Sequence, residues 1–338
     1  MSQKILVVGP AWVGDMVMAQ SLFKAIKQQS PDSILHVLAS DWCNALLARM
    51  PQVDCMHKMP VGHGKLGLKA RKALAKELCS EQFDSAYVLP RSFKSALIPW
   101  MAKIPKRIGY RGEMRYGLLT KLHVLKDHKR FPNVCNYLRL LDIETDIDQV
   151  RNEYAPELQT EVGKQHALAN RFSLDTTKPI FALMIGAEYG PSKQWPPEYY
   201  GQLASRLCDE GGQVVLLGSA KEKSLGEEVR IASENTGLNL CGETTLDEAI
   251  DILAMATVAV CNDSGLMHIA AAVDTPVVAL YGGTTPNYTP PLSKNARALY
   301  LDLACSPCWK RECEYDHYRC MRDIRIERVL DATLKAAK

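Results

Sequence analysis

The residue set with the clearest chemical content is Gly9-Pro10-Ala11-Trp12-Val13-Gly14-Asp15, which follows directly on the apolar run Lys4-Ile5-Leu6-Val7-Val8. A buried strand feeds a glycine-bounded turn that opens a helix from Met16 to Ile26. The spacing is that of a phosphate loop, G-x-x-x-x-G, but Asp15 stands where such a loop needs its lysine, and no Ser or Thr follows. A carboxylate at that point would repel phosphate at short range. The glycines are not spaced G-x-G-x-x-G either. The turn therefore offers a carboxylate at a strand's carboxyl end, where open α/β sheets place their ligands. That suits a general base. The plain alternative is an acidic residue that complements the positive end of the helix.

Two loops in the second half carry the opposite chemistry. One is Gly186-Ala187-Glu188-Tyr189-Gly190-Pro191-Ser192-Lys193-Gln194-Trp195-Pro196, after the apolar run 181–185. Lys193 can reach a phosphate from there, and Pro196 and Pro197 suit the first turn of the following helix. The other is Asn262-Asp263-Ser264-Gly265-Leu266-Met267-His268, after the run 257–261. Asp263 or Ser264 would cap the helix, and Gly265 would let a ligand approach the backbone. The exposed N–H groups would make a metal-free pyrophosphate site. Asp263 could instead bind a sugar hydroxyl. A helix cap for Asp263, a satisfied core histidine for His268 and a surface lysine for Lys193 are the competing readings. Two such loops in one half and a carboxylate loop in the other favour a ligand site.

The elements that must position these residues repeat as strand then helix. In the first half, strands are expected at 5–8, 34–39 and 85–89, with helices near 16–26, 42–49, 66–79 and 92–101. The pattern loosens over 142–156, where Asp142, Glu144, Asp146, Asp148 and Glu153 cluster in the region of a linker. It then restarts with strands at 179–185, 213–217, 257–261 and 277–281, and helices at 197–209, 221–233, 246–255 and 265–273. A final helix near 326–337 carries Ile326, Val329, Leu330 and Leu334 on one face. Short apolar runs between amphipathic segments predict parallel β-α units. The fold expected is α/β, with two Rossmann-like domains facing each other across a cleft.

A chain of 338 residues has room for two domains with sizeable cores. The hydrophobic share of 47% and charged share of 23% are ordinary for a soluble globular protein. The net charge of +3 says little, but its distribution says more. Between Arg91 and Arg130 eleven Lys and Arg stand against two acids, Glu113 and Asp127. This strip is a candidate for an anionic partner, or else a solvated surface. It has few interleaved aromatics, which argues against nucleic acid. No signal peptide is expected, because the first residues run into a core strand. No apolar run reaches a membrane span's length. Eleven scattered cysteines fit a reducing cytoplasm better than a disulfide framework. Among them, Cys305-Ser306-Pro307-Cys308, Cys313 and Cys320, with His317 between the last two, could hold a structural zinc. Their spacing is not that of a standard finger. A redox pair or reduced core thiols are the alternatives.

Seven segments together resemble the lipopolysaccharide heptosyltransferases, glycosyltransferase family nine: GPAWVGDMVMAQSL (9–22), MPVGHG (59–64), LPRSFKSAL (89–97), GYRGEMRYGLL (109–119), GAEYGPSKQWP (186–196), LLGSAKE (216–222) and NDSGLMHIAAA (262–272). The resemblance implies a GT-B fold and transfer of L-glycero-D-manno-heptose from ADP-heptose to the first heptose of the inner core. It implies inversion at the anomeric carbon with no metal. By the same resemblance residues 1–155 bind the acceptor and carry the base, and 156–338 bind ADP-heptose. The C-terminal helix is a candidate to pack back on the first domain. Asp15 matches the family's general base and Lys193 the lysine that neutralises departing ADP. Ser192, Asp263, Ser264, Gly265 and His268 match donor-side positions, and Glu222 would suit the ribose. Arg91, Lys94, Arg111 and Arg115 would meet the carboxylates and phosphates of the acceptor, heptosyl-Kdo2-lipid A. The expected location is the cytoplasm, peripheral to the inner face of the inner membrane. Another sugar-nucleotide enzyme of this fold, a heptosyltransferase of a different core position or an epimerase, or a non-catalytic nucleotide binder remains the alternative.

Overall fold

The computed structural model describes residues 2–62, 64–125 and 131–338. His63, in the segment 59–64, and the end of the basic strip with Lys126, Asp127, Lys129 and Arg130 lie outside the described residues. The chain divides into two compact units, Met1–Pro156 and Glu157–Lys338.

The first unit holds strands β1 (Lys4–Val8), β2 (Ile34–Ala39), β3 (Cys55–Lys58), β4 (Ser85–Val88), β5 (Lys106–Tyr110) and β6 (Lys121–His123). They form one sheet in the order β3-β2-β1-β4-β5-β6, and every pairing is parallel. The second unit repeats the order with β7 (Ile180–Met184), β8 (Gln213–Leu217), β9 (Leu238–Asn239), β10 (Val258–Asn262), β11 (Val277–Tyr281) and β12 (Ala296–Tyr300), as β12-β11-β10-β7-β8-β9. These pairings are parallel too. Both sheets have the doubly wound order, whose switch points lie between β1 and β4 and between β7 and β10. The loops that open there are the Asp15 turn in one unit and the Lys193 and Asp263 loops in the other.

The central strands are the ones the apolar runs predict. Five further strands lie outside that pattern. β3, β6, β9 and β12 close the sheets or sit near their rims with exposed or half-exposed residues, so they lack a continuous apolar run. β5 lies inside its sheet but reads Lys-Arg-Ile-Gly-Tyr, where charge hides the strand. The helix expected at 92–101 is a 3-10 turn, Phe93–Ala96, followed by Leu97–Met101. The expected linker is partly helical, with Ile147–Gln149 and a π-turn over Val150–Tyr154.

Each unit has its own core. In the first, Leu6, Val8, Leu38, Val88 and Ile98 cluster on one side of the sheet. In the second, Trp195 and Tyr200 join Leu183, Val260 and Val329. The C-terminal helix Ile326–Ala336 packs on the helix Pro197–Asp209 and on β10 and β11 of its own unit. Its expected apolar face is the one it buries, with Val329 enclosed and Leu330 and Leu334 partly covered. Among the described residues no helix is long and apolar enough to cross a membrane.

Candidate active site

In the first unit the turn after β1 leads into the helix Val13–Gln29. Gly9 makes the turn tight: its N–H donates to the Leu38 carbonyl at 2.9 Å, and a Cβ there would lie 2.5 Å from the Met16 Cε. Trp12 occupies the N-cap position with extended backbone and makes no side-chain cap bond. Asp15 is half-buried in the first helical turn, where an acidic side chain complements the helix's N-terminal partial charge. Its Oδ1 accepts from Asn133 Nδ2 at 3.0 Å and from the Tyr137 hydroxyl at 3.2 Å. Asn133 also donates to the Tyr137 oxygen at 3.2 Å. Both partners sit one turn apart on the helix Asn133–Leu138. The sequence reading missed them. The available signal was a polar i, i+4 pair on a short, largely buried helix that also carries Asn136. These neutral donors orient the carboxylate, as the work of a general base would require.

The basic strip divides into two kinds of residue. Arg91 and Arg111 are exposed and Lys94 is half-buried. Arg115 departs from the expectation of a surface contact, because its side chain is 1% exposed. Its Nε donates to the Tyr110 carbonyl at 3.0 Å, and one terminal nitrogen reaches the Pro90 carbonyl at 2.6 Å, the Ser92 carbonyl at 3.3 Å and Ser95 Oγ at 3.1 Å. Burial, with a smaller contribution from Arg91, pulls its pKa down to about 10, so it stays charged at neutral pH. Arg115 is a clamp across the loops after β4 and β5. Fixed carbonyls take the donors that an acceptor would need.

In the second unit the loop after β7 is fastened to the end of β10 by Asn262. Its Oδ1 accepts from Trp195 N at 3.0 Å and the Tyr200 hydroxyl at 3.1 Å, and its Nδ2 donates to the carbonyls of Ile185 and Gly186 at 2.9 and 3.2 Å. This fastening places Lys193 Nζ 2.6 Å from Asp263 Oδ2, both side chains being largely buried, at 14% and 5% exposure. The ammonium also lies 4.9 Å from the centre of the Tyr189 ring. Thr284 donates to Asp263 Oδ2 at 2.6 Å, and Thr289 to Oδ1 at 3.3 Å. Asp263 thus holds the lysine, where the sequence offered a cap or a sugar contact. Thr284 and Thr289 were not foreseen, because they come from a loop after β11 with no motif of its own.

Ser264 takes the N-cap position of the helix Gly265–Ala272 without a side-chain cap bond. Its Oγ and the Nδ1 of His268 are buried without a partner among the described residues. Burial pushes the His268 pKa down to about 4, against a smaller upward pull from Asp263 and with a further lowering from Lys193. The ring is neutral at physiological pH. Unpartnered polar atoms beside the first, unbonded N–H groups of a helix are groups that a ligand can satisfy. Glu222 closes a capping box, its Oε2 accepting from Ser219 N at 2.6 Å. Its Oε1 faces Gly186 so closely that a Cβ there would lie 1.6 Å away.

Ser192 is buried and faces the cysteine-rich segment. Its Oγ donates to the Lys310 carbonyl at 2.5 Å, its N–H to the Arg311 carbonyl at 3.0 Å, and Tyr189 donates to the Trp309 carbonyl at 2.6 Å. Segment 305–320 therefore buttresses the Lys193 loop. Among the described residues no group of three or more His, Cys, Asp or Glu is placed to hold a metal, though the Cys320 thiol is pushed up by burial and by the neighbouring Cys308, Cys305 and Cys313. Cys320 is buried against Gly282, Cys308 points at the Gly283 carbonyl at 3.9 Å, and Cys313 lies 3.8 Å from His317 Nδ1. Cys305 instead lines a pocket of about 280 Å³ with His317 and Arg319.

Two doubly wound units, one presenting a hydrogen-bonded carboxylate and the other an ammonium beside a helix N-terminus, offer groups suited to group transfer from a nucleotide. The chain belongs to glycosyltransferase family 9 (heptosyltransferase), whose model matches residues 71–319. It is 44% identical to lipopolysaccharide heptosyltransferase 2 of Escherichia coli over 97% of each chain. The identity to lipooligosaccharide heptosyltransferase 2 of Haemophilus influenzae is also 44%, over 97% of each. The solved structure of the E. coli ADP-heptose lps heptosyltransferase II superposes with a TM-score of 0.86 at 40% identity, covering 99% of this chain and 98% of that one. The fold is accordingly GT-B.

Proposed function

We propose that this enzyme transfers L-glycero-D-manno-heptose from ADP-heptose to the first heptose of the lipopolysaccharide inner core, with inversion and without a metal. The observation that carries the reading is the 44% identity, end to end, to lipopolysaccharide heptosyltransferase 2. The geometry supports the division of labour. An acceptor hydroxyl oxygen attacks the donor's anomeric carbon as the bond to the ADP oxygen breaks. Asp15, held by Asn133 and Tyr137, takes the hydroxyl proton. ADP leaves with the bonding electron pair. Lys193 and the N–H groups at Ser264 and Gly265 meet its charge with donors already in place. A lysine that exchanges its carboxylate for the diphosphate frees Asp263 for a heptose hydroxyl. His268, neutral, can donate or accept there. Glu222 takes the ribose, and Ser192 positions Lys193. Arg91, Lys94 and Arg111 bind the acidic acceptor, heptosyl-Kdo2-lipid A, at the cytoplasmic face of the inner membrane, with Arg115 positioning their loops.

The test is incubation with ADP-heptose, with and without the acceptor, in excess EDTA. ADP release together with a glycolipid heavier by one heptose is expected only when both substrates are present. Consumption of donor without acceptor would instead mark an epimerase or hydrolase. Activity abolished by EDTA and restored by magnesium would end the metal-free mechanism.

A further inference from the structure

The first unit exposes large apolar side chains where a soluble protein would ordinarily cover them. Met114 is 83% exposed and Tyr116 63%, and Leu66, Leu68 and Phe93 are exposed as well. All five lie on segments that follow the carboxyl ends of β3, β4 and β5, which are on the Asp15 side of the sheet. Two buried arginines bring these segments together. Arg71 donates to the Leu66 carbonyl at 2.6 Å and to the Lys94 carbonyl at 3.2 Å. Arg115 spans the Pro90, Ser92 and Tyr110 carbonyls. Phe93 N donates to Glu113 Oε2 at 2.9 Å, which ties the segment after β4 to the residue before Met114 and engages the acid of this stretch. The apolar tips are therefore held outward by fixed backbone, and cannot collapse onto the core without breaking buried charge-assisted bonds. Between and beside them stand the exposed cations Lys65, Lys69 and Arg111.

We propose that residues 65–69, 93–94 and 111–116 form a membrane-docking surface, whose partner is an anionic phospholipid bilayer. Apolar and aromatic tips fit the boundary between headgroups and acyl chains, and the lysines and arginines around them fit the negative surface potential. A protein partner fits less well, because interface centres are depleted in lysine. The surface deepens the reading above, in that a lipid-borne acceptor would be met at the same edge of the sheet as Asp15. Its apolar tips Leu68, Met114 and Tyr116 have no part in acceptor or donor binding, whereas Lys94 and Arg111 are shared with the acceptor.

The experiment sediments the full chain with vesicles of phosphatidylethanolamine and phosphatidylglycerol, and with vesicles of phosphatidylcholine alone, none carrying glycan. The wild type is expected to bind the anionic vesicles, less at high salt, and to leave the neutral ones unbound. Leu68→Ser/Met114→Ser should bind at least roughly tenfold more weakly, tenfold being the scale for one buried apolar side chain where this variant loses two. The same variant should keep its thermal midpoint and its transfer rate to an acyl-free, water-soluble acceptor glycan. No binding of the wild type to anionic vesicles, or equal binding of the double variant, overturns the proposal. So does loss of transfer to the soluble glycan in the variant alone, which would assign the patch to the sugar. Failure of both proteins on the soluble glycan would sink heptosyl transfer, while the vesicle result still decides the surface.

Discussion

Replacing Lys193 by alanine should have two separable effects. The first is on stability. The ammonium lies 2.6 Å from a carboxylate that is 5% exposed. Removing one partner of a buried pair typically costs 3–5 kcal/mol, because the other charge is left uncompensated. Here Thr284 and Thr289 continue to donate to Asp263, which sets the expectation at the lower end, about 3 kcal/mol. For a unit of this size that is a fall of roughly 6–12 °C in thermal midpoint. The second effect is on the nucleotide. A charge-assisted bond to phosphate contributes about 1.5–3 kcal/mol, so ADP should bind roughly ten- to a hundredfold more weakly. Adding Asp263→Asn to Lys193→Ala removes the stranded charge and should recover much of the stability, but none of the ADP affinity. Urea denaturation and calorimetric titration with ADP, on the wild type, the single and the double variants, read the two effects independently. ADP is the right probe because it lacks the heptose that Asp263 would touch. If the double variant is no more stable than the single one, the buried-pair argument is wrong. If Lys193→Ala binds ADP like wild type, the lysine is only a structural partner of Asp263.

Asp15→Asn keeps the hydrogen-bonding shape but not the basicity, so turnover at saturating substrates should fall about a hundredfold or more with ADP affinity unchanged; near-normal turnover would remove Asp15 from the chemistry. Replacing Arg91, Lys94 and Arg111 with alanine should raise the acceptor KM, reduce its salt dependence and leave the donor KM unchanged, whereas a solvated surface would leave all three alone. Arg115→Ala should behave differently and lower the thermal midpoint, because it strands the Pro90 and Tyr110 carbonyls. His268 gives a pH signature. Its folded pKa of about 4 lies below its ordinary 6.5, so the unfolded chain binds the proton first. Its contribution is complete above pH 6.5 and is lost as pH falls from 6.5 towards 4, by up to about 3 kcal/mol. His268→Gln should flatten the stability profile across that window in urea titrations. Parallel profiles would refute the burial argument.

The sequence by itself determined the elements that are locally written. A continuous apolar run such as 4–8 or 277–281 can only be a buried strand between helices, and the turn at 9–15 needs only its own glycines to present a carboxylate. The same holds for the loops at Lys193 and Asp263, since each follows such a run directly. Family likeness added the direction of the chemistry. What no local pattern could write is which polar group meets which. Asn133 and Tyr137 reach Asp15 from more than a hundred positions away. Thr284 and Thr289 converge on Asp263 from the far side of β11. Arg115 looked like its neighbours in a basic strip and proved to be a clamp, because whether a guanidinium faces solvent or three carbonyls depends on how the loops after β4 and β5 close over it. The strands of charged or mixed composition, β3, β5, β6, β9 and β12, escaped the sequence for the same reason. Their backbone pairing is decided by the neighbouring strand: four are half-exposed edges, which place few demands on side chains, and in β5 the leading Lys106 and Arg107 mask an interior strand.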